Sequence, residues 1–242
     1  MAGELSWLTP LPWYATLSVA AGSLKKENTP SFVGDGDRKK GFDIKDPRDL
    51  LYNARLDQFF SIGDNWGLNV GLSYAVGPNG TSKNADLYTH IVGGDIYLKW
   101  RPLRKPYLGM KLTAEGFFRR LEVPGDELHD WGAYAEMLWR VDKQWWLGFR
   151  YDTVAIEDSK ELIRLGFEEL PDAKYPMPID DQYRGSVAVT YRPTEYSQIR
   201  IQYNYNHVRQ TADDGLPEDW KSVHEVFLQL MGNIGPHGAH PY

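Results

Sequence analysis

The sequence predicts an all-β fold: a transmembrane antiparallel up-and-down β-barrel of about ten strands, with both termini periplasmic. Three observations predict it. A two-residue alternation of apolar and polar side chains recurs in ten segments. The segments are joined by alternately tight and long connections. Trp and Tyr gather near the segment ends. Side chains on a strand point to alternate faces, so in lipid one face meets acyl chains and the other lines the lumen. A soluble β-sandwich or lipocalin-like barrel shows the same beat, but its strands are usually only about 5–6 residues long.

Bulk composition is consistent with this. The 242 residues suffice for one β domain or barrel. A net charge of -6 argues against nucleic acid, which favours a basic chain. Mean hydropathy is -0.52 and no apolar stretch of about 18 residues occurs, so a membrane-spanning helix is excluded, though not a barrel. Aromatics make up 14% of the chain, with nine Trp and fifteen Tyr, which suits interfacial belts. There is no cysteine, hence no disulfide framework and no thiolate chemistry. Met1-Ala2-Gly3-Glu4 has neither a charged n-region nor an apolar h-region. A mature form or a fresh start is therefore expected, and the first three residues are set aside from the fold.

Residues 1–12 are read as a lead segment, 13–233 as the barrel and 234–242 as a tail. The first strand, Trp13 to Ser23, sets Trp13, Ala15, Leu17 and Val19 on one face. In the second, Leu50 to Ser61, Tyr52, Ala54, Leu56 and Phe60 oppose Asn53, Arg55 and Asp57. The third, Trp66 to Gly77, is the most regular: Trp66, Leu68, Val70, Leu72, Tyr74 and Val76 against Gly67, Asn69, Gly71, Ser73 and Ala75. The fourth, Tyr88 to Arg101, opposes Ile96, Leu98 and Trp100 to Asp95, Tyr97 and Lys99. Its Gly93-Gly94 pair suggests a bulge or close packing. The fifth, Tyr107 to Leu121, opposes Leu108, Met110, Leu112, Ala114 and Phe118 to Lys111, Thr113, Glu115 and Arg119.

The sixth, Trp131 to Val141, sets Ala133, Ala135, Met137 and Trp139 against Tyr134, Glu136 and Arg140. The seventh, Trp145 to Ile156, sets Leu147, Phe149 and Tyr151 against Gly148, Arg150 and Asp152. The eighth, Gln182 to Arg192, sets Tyr183, Val187, Val189 and Tyr191 against Arg184, Ser186, Thr190 and Arg192. The ninth, Gln198 to Asn206, sets Ile199, Ile201, Tyr203 and Tyr205 against Arg200, Gln202, Asn204 and Asn206. The tenth, Ser222 to Asn233, sets Val226, Leu228 and Leu230 against Glu225, Phe227 and Gln229. The connections after strands two, four, six and eight are tight; the others are mostly longer, with 25–48 and 157–181 the longest. Short periplasmic turns and long outer loops have this asymmetry, and an even strand number returns the chain to the side where it started.

The inward face carries both signs of charge. Arg55, Lys99, Lys111, Arg119, Arg140, Arg150, Arg184, Arg192 and Arg200 oppose Asp57, Asp95, Glu115, Glu136, Asp152 and Glu225. These fifteen are the expected lumen-lining residues. About eight strands leave room only for side chains, and 16–18 leave a water-filled channel, so ten is intermediate. Two fillings fit: a structural network of paired Arg and carboxylates, or a narrow, anion-leaning pore lined by the excess of Arg and Lys.

Other chemistry is sparse. His237 and His240, three apart in the tail, make a two-imidazole set, whereas zinc normally needs three or four ligands. Asp152, His207, Asp213 and Asp214 near the outer rim raise the alternative of an omptin-like outer-membrane protease, with Asp and His activating water. Lys25, Lys26 and Arg38-Lys39-Lys40 in the first long loop are candidates to meet lipopolysaccharide phosphates. No nucleotide-binding motif occurs and no cofactor is expected. The expected partners are outer-membrane lipid, lipopolysaccharide and small ions or solutes.

The chain end resembles a known family. Val226-Phe227-Leu228-Gln229-Leu230, then Gly235-Pro236-His237-Gly238-Ala239-His240-Pro241-Tyr242, is similar to the C-terminus of porin-like bacterial outer-membrane proteins, some labelled zinc-regulated or TonB-dependent receptors. Leu5-Ser6-Trp7-Leu8-Thr9-Pro10-Leu11-Pro12-Trp13-Tyr14 and the hairpin from Arg192 to Gln202 resemble the same family. The resemblance implies a Gram-negative outer-membrane location and a porin-like or structural role without catalysis. It also implies further strands ahead of the Leu-Ser-Trp-Leu segment, so that this chain would hold the last ten strands of a larger barrel.

Alternation makes a direct prediction. Val70→Arg or Leu98→Arg places a charge on the lipid face near mid-strand, at a cost of about 2–4 kcal/mol. Both should block folding into lipid vesicles, read by the heat-modifiable gel shift. Asn69→Arg, one residue away on the other face, should fold; equal effects on the two faces would contradict the pattern.

Overall fold

The computed structural model describes residues 2–23, 42, 50–81, 87–157, 182–208 and 220–232, with side chains not described at 155–157. Eleven strands follow one another: β1 Ala2–Leu8, β2 Tyr14–Gly22, β3 Leu51–Ile62, β4 Trp66–Pro78, β5 Tyr88–Trp100, β6 Gly109–Val123, β7 Asp126–Arg140, β8 Trp145–Glu157, β9 Gln182–Thr194, β10 Ser197–Val208 and β11 Lys221–Gly232. Each pairs antiparallel with its neighbours in sequence, giving one up-and-down sheet in the order β1 to β11. From β3 to β11 the strands run 12 to 15 residues, long enough to cross a hydrocarbon layer at a tilt.

Ten of these strands match the alternation; the eleventh, β1, lies in the expected lead segment. Its seven residues place only Leu5 and Trp7 on the apolar face, and Thr9-Pro10-Leu11-Pro12 follows at once. So short a beat beside two prolines reads as a linker. The partner strand holds it: Leu5 pairs Val19 and Trp7 pairs Leu17. Ser6 and Ser18 face each other with their hydroxyls 2.9 Å apart.

The count corrects the placement of the termini. Ala2 pairs Gly22 at the long-loop end of the sheet, and Gly232 pairs Ser197 at the tight-turn end. An odd number of antiparallel strands puts Ala2 and Gly232, the first and last described residues, on opposite sides, not both on one. It also leaves the sheet open, with β1 and β11 as edges. These two strands run in the same direction. A closed, wholly antiparallel barrel has an even strand number, so these eleven meet that condition only together with an odd number of others.

The connection between β6 and β7 also differs from expectation. It is a two-residue turn at Pro124-Gly125, with Gly125 at φ 87°. Proline presets the first turn position and glycine accepts the positive φ of the second. The ladder therefore continues out to Val123 and Asp126. Leu121, Val123 and Leu128 form a small buried cluster near this hairpin's tip. The Gly93-Gly94 pair is not a bulge, because pairing runs through it unbroken. Gly93 marks close packing instead: a Cβ there would lie 2.5 Å from the Ser73 hydroxyl and 2.7 Å from the Phe117 ring.

Directly paired residues share a face, so register converts the strands into rows across the sheet. One row reads Phe60, Leu68, Leu98, Leu112, Met137, Phe149, Val187, Tyr203, Val226. The adjacent row, one residue along every strand, reads Phe59, Asn69, Tyr97, Thr113, Glu136, Arg150, Ser186, Asn204, Glu225. The first face is apolar and open: Leu72 is 54% exposed, Ile201 55% and Leu228 66%. An apolar surface of this extent on a soluble protein would drive association. Aromatic pairs edge it. Toward the turn end Trp13 stacks on Phe60, Trp66 lies beside Trp100, and Trp145 beside Tyr191 at 4.7 Å. Toward the loop end Tyr183 and His207 lie against Trp220, and Phe118 stacks on His129. Trp and Tyr favour the two interfaces of a bilayer for their mixed polarity.

The register of β1 can be checked in a chain without cysteine. Ser6→Cys with Ser18→Cys should oxidise to an intramolecular disulfide, because cross-strand partners bring Cβ atoms within about 5.5 Å. Ser6→Cys with Ala20→Cys should stay reduced. The opposite result would displace β1 from its assigned register.

Candidate functional site

The polar face is the site, and backbone register builds it. All fifteen charged residues singled out by alternation lie on this one face, sorted by depth along the strands. Nearest the loop end, buried Arg119 pairs with Asp130 on the neighbouring strand, Nε to Oδ1 at 2.9 Å. Asp130 was not anticipated because alternation was followed only from Trp131; one more pair of residues back along the strand reaches it.

Mid-strand, charges of both signs interlock. Arg55 donates from Nε to Asp57 at 2.9 Å and from Nη1 to Asp95 at 2.8 Å, tying β3 to β5 across β4. The strand between must be bare where the fork passes, and Gly71 stands there. A Cβ on it would lie 2.2 Å from an Asp95 oxygen and 2.4 Å from the Arg55 guanidinium. Further round, Arg150 donates to Asp152 at 2.7 Å and lies 3.6 Å from Glu136, while Arg184 reaches Asp152 at 3.2 Å. The Arg150 guanidinium also sits over the Tyr134 ring, 4.3 Å from its centre. Glu225 accepts from Asn206 at 2.8 Å and from Asn204 at 3.3 Å.

Toward the turn end the sign becomes uniform. One row holds Ser61, Gly67, Lys99, Lys111, Leu138, Gly148, Ala188, Gln202 and Phe227. The next same-face row holds Gly109, Arg140, Trp146, Thr190, Arg200 and Gln229. Arg192 and Gln198 come one step further out. Neither row contains a carboxylate, and Lys99 faces Lys111 directly. Like charges placed opposite one another destabilise a sheet unless something neutralises them. Arg140 and Arg192 both lie over the Trp146 ring, at 5.4 and 5.1 Å from its centre. Trp146 escaped the sequence reading because outward Trp145 beside it dominated the belt; alternation extended back from Gly148 finds it.

The protease alternative rests on Asp152, His207, Asp213 and Asp214 near the rim, of which the first two are described. Register puts Asp152 on the polar face, bound to two arginines, and His207 on the apolar face, stacked on Trp220. They do not converge. Asp213, Asp214, His237, His240 and the basic residues of the first long loop lie outside the described residues.

No family model matches the chain. It is 28% identical over 268 aligned residues to an uncharacterized protein of Aquifex aeolicus (strain VF5), covering 99% of this chain and 50% of that protein. The chain thus spans about half the length of the curated relative it matches. Among solved structures it resembles the crystal structure of the outer membrane channel DcaP of Acinetobacter baumannii, with a TM-score of 0.56 and 13% identity, over 94% of this chain and 60% of that one. The chain therefore has the strand architecture of an outer-membrane channel barrel.

The close fit around Gly71 predicts an asymmetry between neighbouring glycines. Gly71→Ala should lower unfolding stability in detergent by about 1–3 kcal/mol, as overpacking does. Gly94→Ala, whose Cβ would meet only Leu72 at 3.7 Å and a carbonyl at 3.9 Å, should change it little. Denaturant titration of both variants checks this; equal losses would contradict the role of Gly71 as clearance for the Arg55 fork.

Proposed function

We propose that this chain forms wall strands of a porin-like channel in a bacterial outer membrane, passing small polar or ionic solutes passively. The observation that carries the reading is the contrast between adjacent rows: an apolar, exposed, aromatic-edged face beside a face of Asn, Thr, Glu, Arg and Lys. Lipid is the partner of the first face, with lipopolysaccharide toward its loop end, and water with dissolved ions is the partner of the second. The architecture shared with an outer-membrane channel supports this. So does the likeness of the hairpin from Arg192 to Gln202 to porin-like proteins, some labelled zinc-regulated receptors.

The polar face would act through its charge pattern. Where Arg and carboxylate are paired across strands they neutralise each other and hold the wall rigid. Where Lys and Arg stand without carboxylates they set the sign of the field a solute meets. Ion preference would then be decided at the turn end.

Planar-bilayer recording tests this. The folded protein should give steady ohmic steps, and Lys99→Glu combined with Lys111→Glu should move the reversal potential in a salt gradient toward cation preference. Folded, heat-modifiable protein without conductance would mean that this chain alone does not enclose an open path. Conductance with unaltered selectivity would mean that these rows do not line the path.

A further inference from the structure

We infer that the turn end of the polar face holds a binding subsite for a small oxyanion, of the phosphate, sulfate or carboxylate class, built from Arg140 and Arg192 over Trp146, with Arg200 further along the same row as Arg140 and Trp146. The inference deepens the channel reading and rests on it for the solute's route, but the site itself stands on separate observations.

The first is charge without counter-charge. Among the described residues, no carboxylate forms an ion pair with Arg140, Arg192 or Arg200, although the mid-strand arginines Arg55, Arg150 and Arg184 each have one. Arg140 donates only to the carbonyls of Asp142 and Lys143, at 3.3 and 2.8 Å, and Arg192 to the Gln198 side-chain oxygen at 2.8 Å. The Arg200 Nε is buried and has no hydrogen-bond partner.

The second is preorganisation. Two guanidinium groups share the Trp146 ring, which holds both planar forks by cation–π attraction and limits the freedom they would lose on binding. Gln144, which flanks them, is itself fixed by donating to the Pro193 carbonyl at 2.9 Å. A planar guanidinium fork matches the paired oxygens of a carboxylate or phosphate, which an ammonium does not.

The third is space. A cavity of about 480 Å³ opens beside Arg140, Trp146 and Arg192, bounded also by Lys143, Gln198 and Met231. One carboxylate, Glu195 in the β9–β10 turn, also borders it. The Lys99–Lys111 pair stands one same-face row deeper, so an anion leaving the cavity toward mid-strand meets further positive charge before the mixed band begins. Two guanidinium groups that converge on one cavity, already oriented and without a carboxylate ion-pair partner among the described residues, are costly to hold alone and are relieved by an anion.

Calorimetric titration of the detergent-folded chain with inorganic phosphate, at constant ionic strength in chloride, tests the site. Saturable binding is expected. Arg140→Gln and Arg192→Gln should each weaken it about tenfold or more, the effect of losing a charged hydrogen bond. Arg192→Lys keeps the charge but loses the fork, and should weaken binding as well. Arg184→Gln, on the mid-strand band, should leave it unchanged. Absence of saturable phosphate binding to folded wild-type protein would overturn the inference. So would affinity unaltered in folded Arg140→Gln and Arg192→Gln. Binding that persists in protein that does not conduct would remove the channel reading and leave the site.

Discussion

Antiparallel backbone pairing is the constraint from which the rest of the structure follows. In hydrocarbon each unpaired N–H or C=O costs several kcal/mol, so strands must satisfy one another. Pairing fixes register, and register fixes rows. Because the side-chain period is two, each row belongs wholly to one face, and a slip by one residue would exchange lipid and water faces along a whole strand. The run from Phe60 to Val226 and its neighbour from Phe59 to Glu225 are opposite in character for this reason. The same constraint bears on β1 and β11, whose outer edges carry the unpaired groups of the open sheet.

On the polar face the constraint becomes electrostatic. Side chains of both signs are brought within reach of partners two strands away, as Arg55 is to Asp95 across the bare backbone of Gly71. Such pairs cross-link the strands on the polar face. Partly exposed ion pairs contribute little singly, about 0.2–1 kcal/mol, so their value lies in fixing geometry. The turn end lacks that balance. Lys99, Lys111, Arg140 and Arg200 stand in two rows with no acid, and Arg140 and Arg192 lie over Trp146. The face thus grades from a mutually neutralised middle to a cationic end.

Much of this was legible in the sequence. Ten strands, their two faces and the aromatic edges follow from alternation alone, since a strand's side-chain period needs no tertiary information. What was not legible depends on partners. β1 carries too few alternating residues to declare itself, and only β2 holds it extended. The β6–β7 hairpin turns at Pro124-Gly125, but Glu127, His129 and Asp130 look like loop residues until pairing opposite Glu122, Arg120 and Arg119 draws them into the ladder. The sorting of charge by depth is invisible one strand at a time: Lys99 and Lys111 lie in different strands, and their juxtaposition exists only in register. The same is true of the two arginines that meet over Trp146.

The two-faced wall is tested most directly by scanning spin labels through β4, residues 66–78, in lipid bilayers. Collision rates with oxygen, which partitions into lipid, and with a water-soluble nickel chelate report which medium each position meets. The account predicts a period of two, with oxygen favoured at 68, 70, 72, 74 and 76 and nickel at 69, 73 and 75. Uniform exposure along the strand, or nickel access to both sets, would contradict a sheet that separates lipid from water.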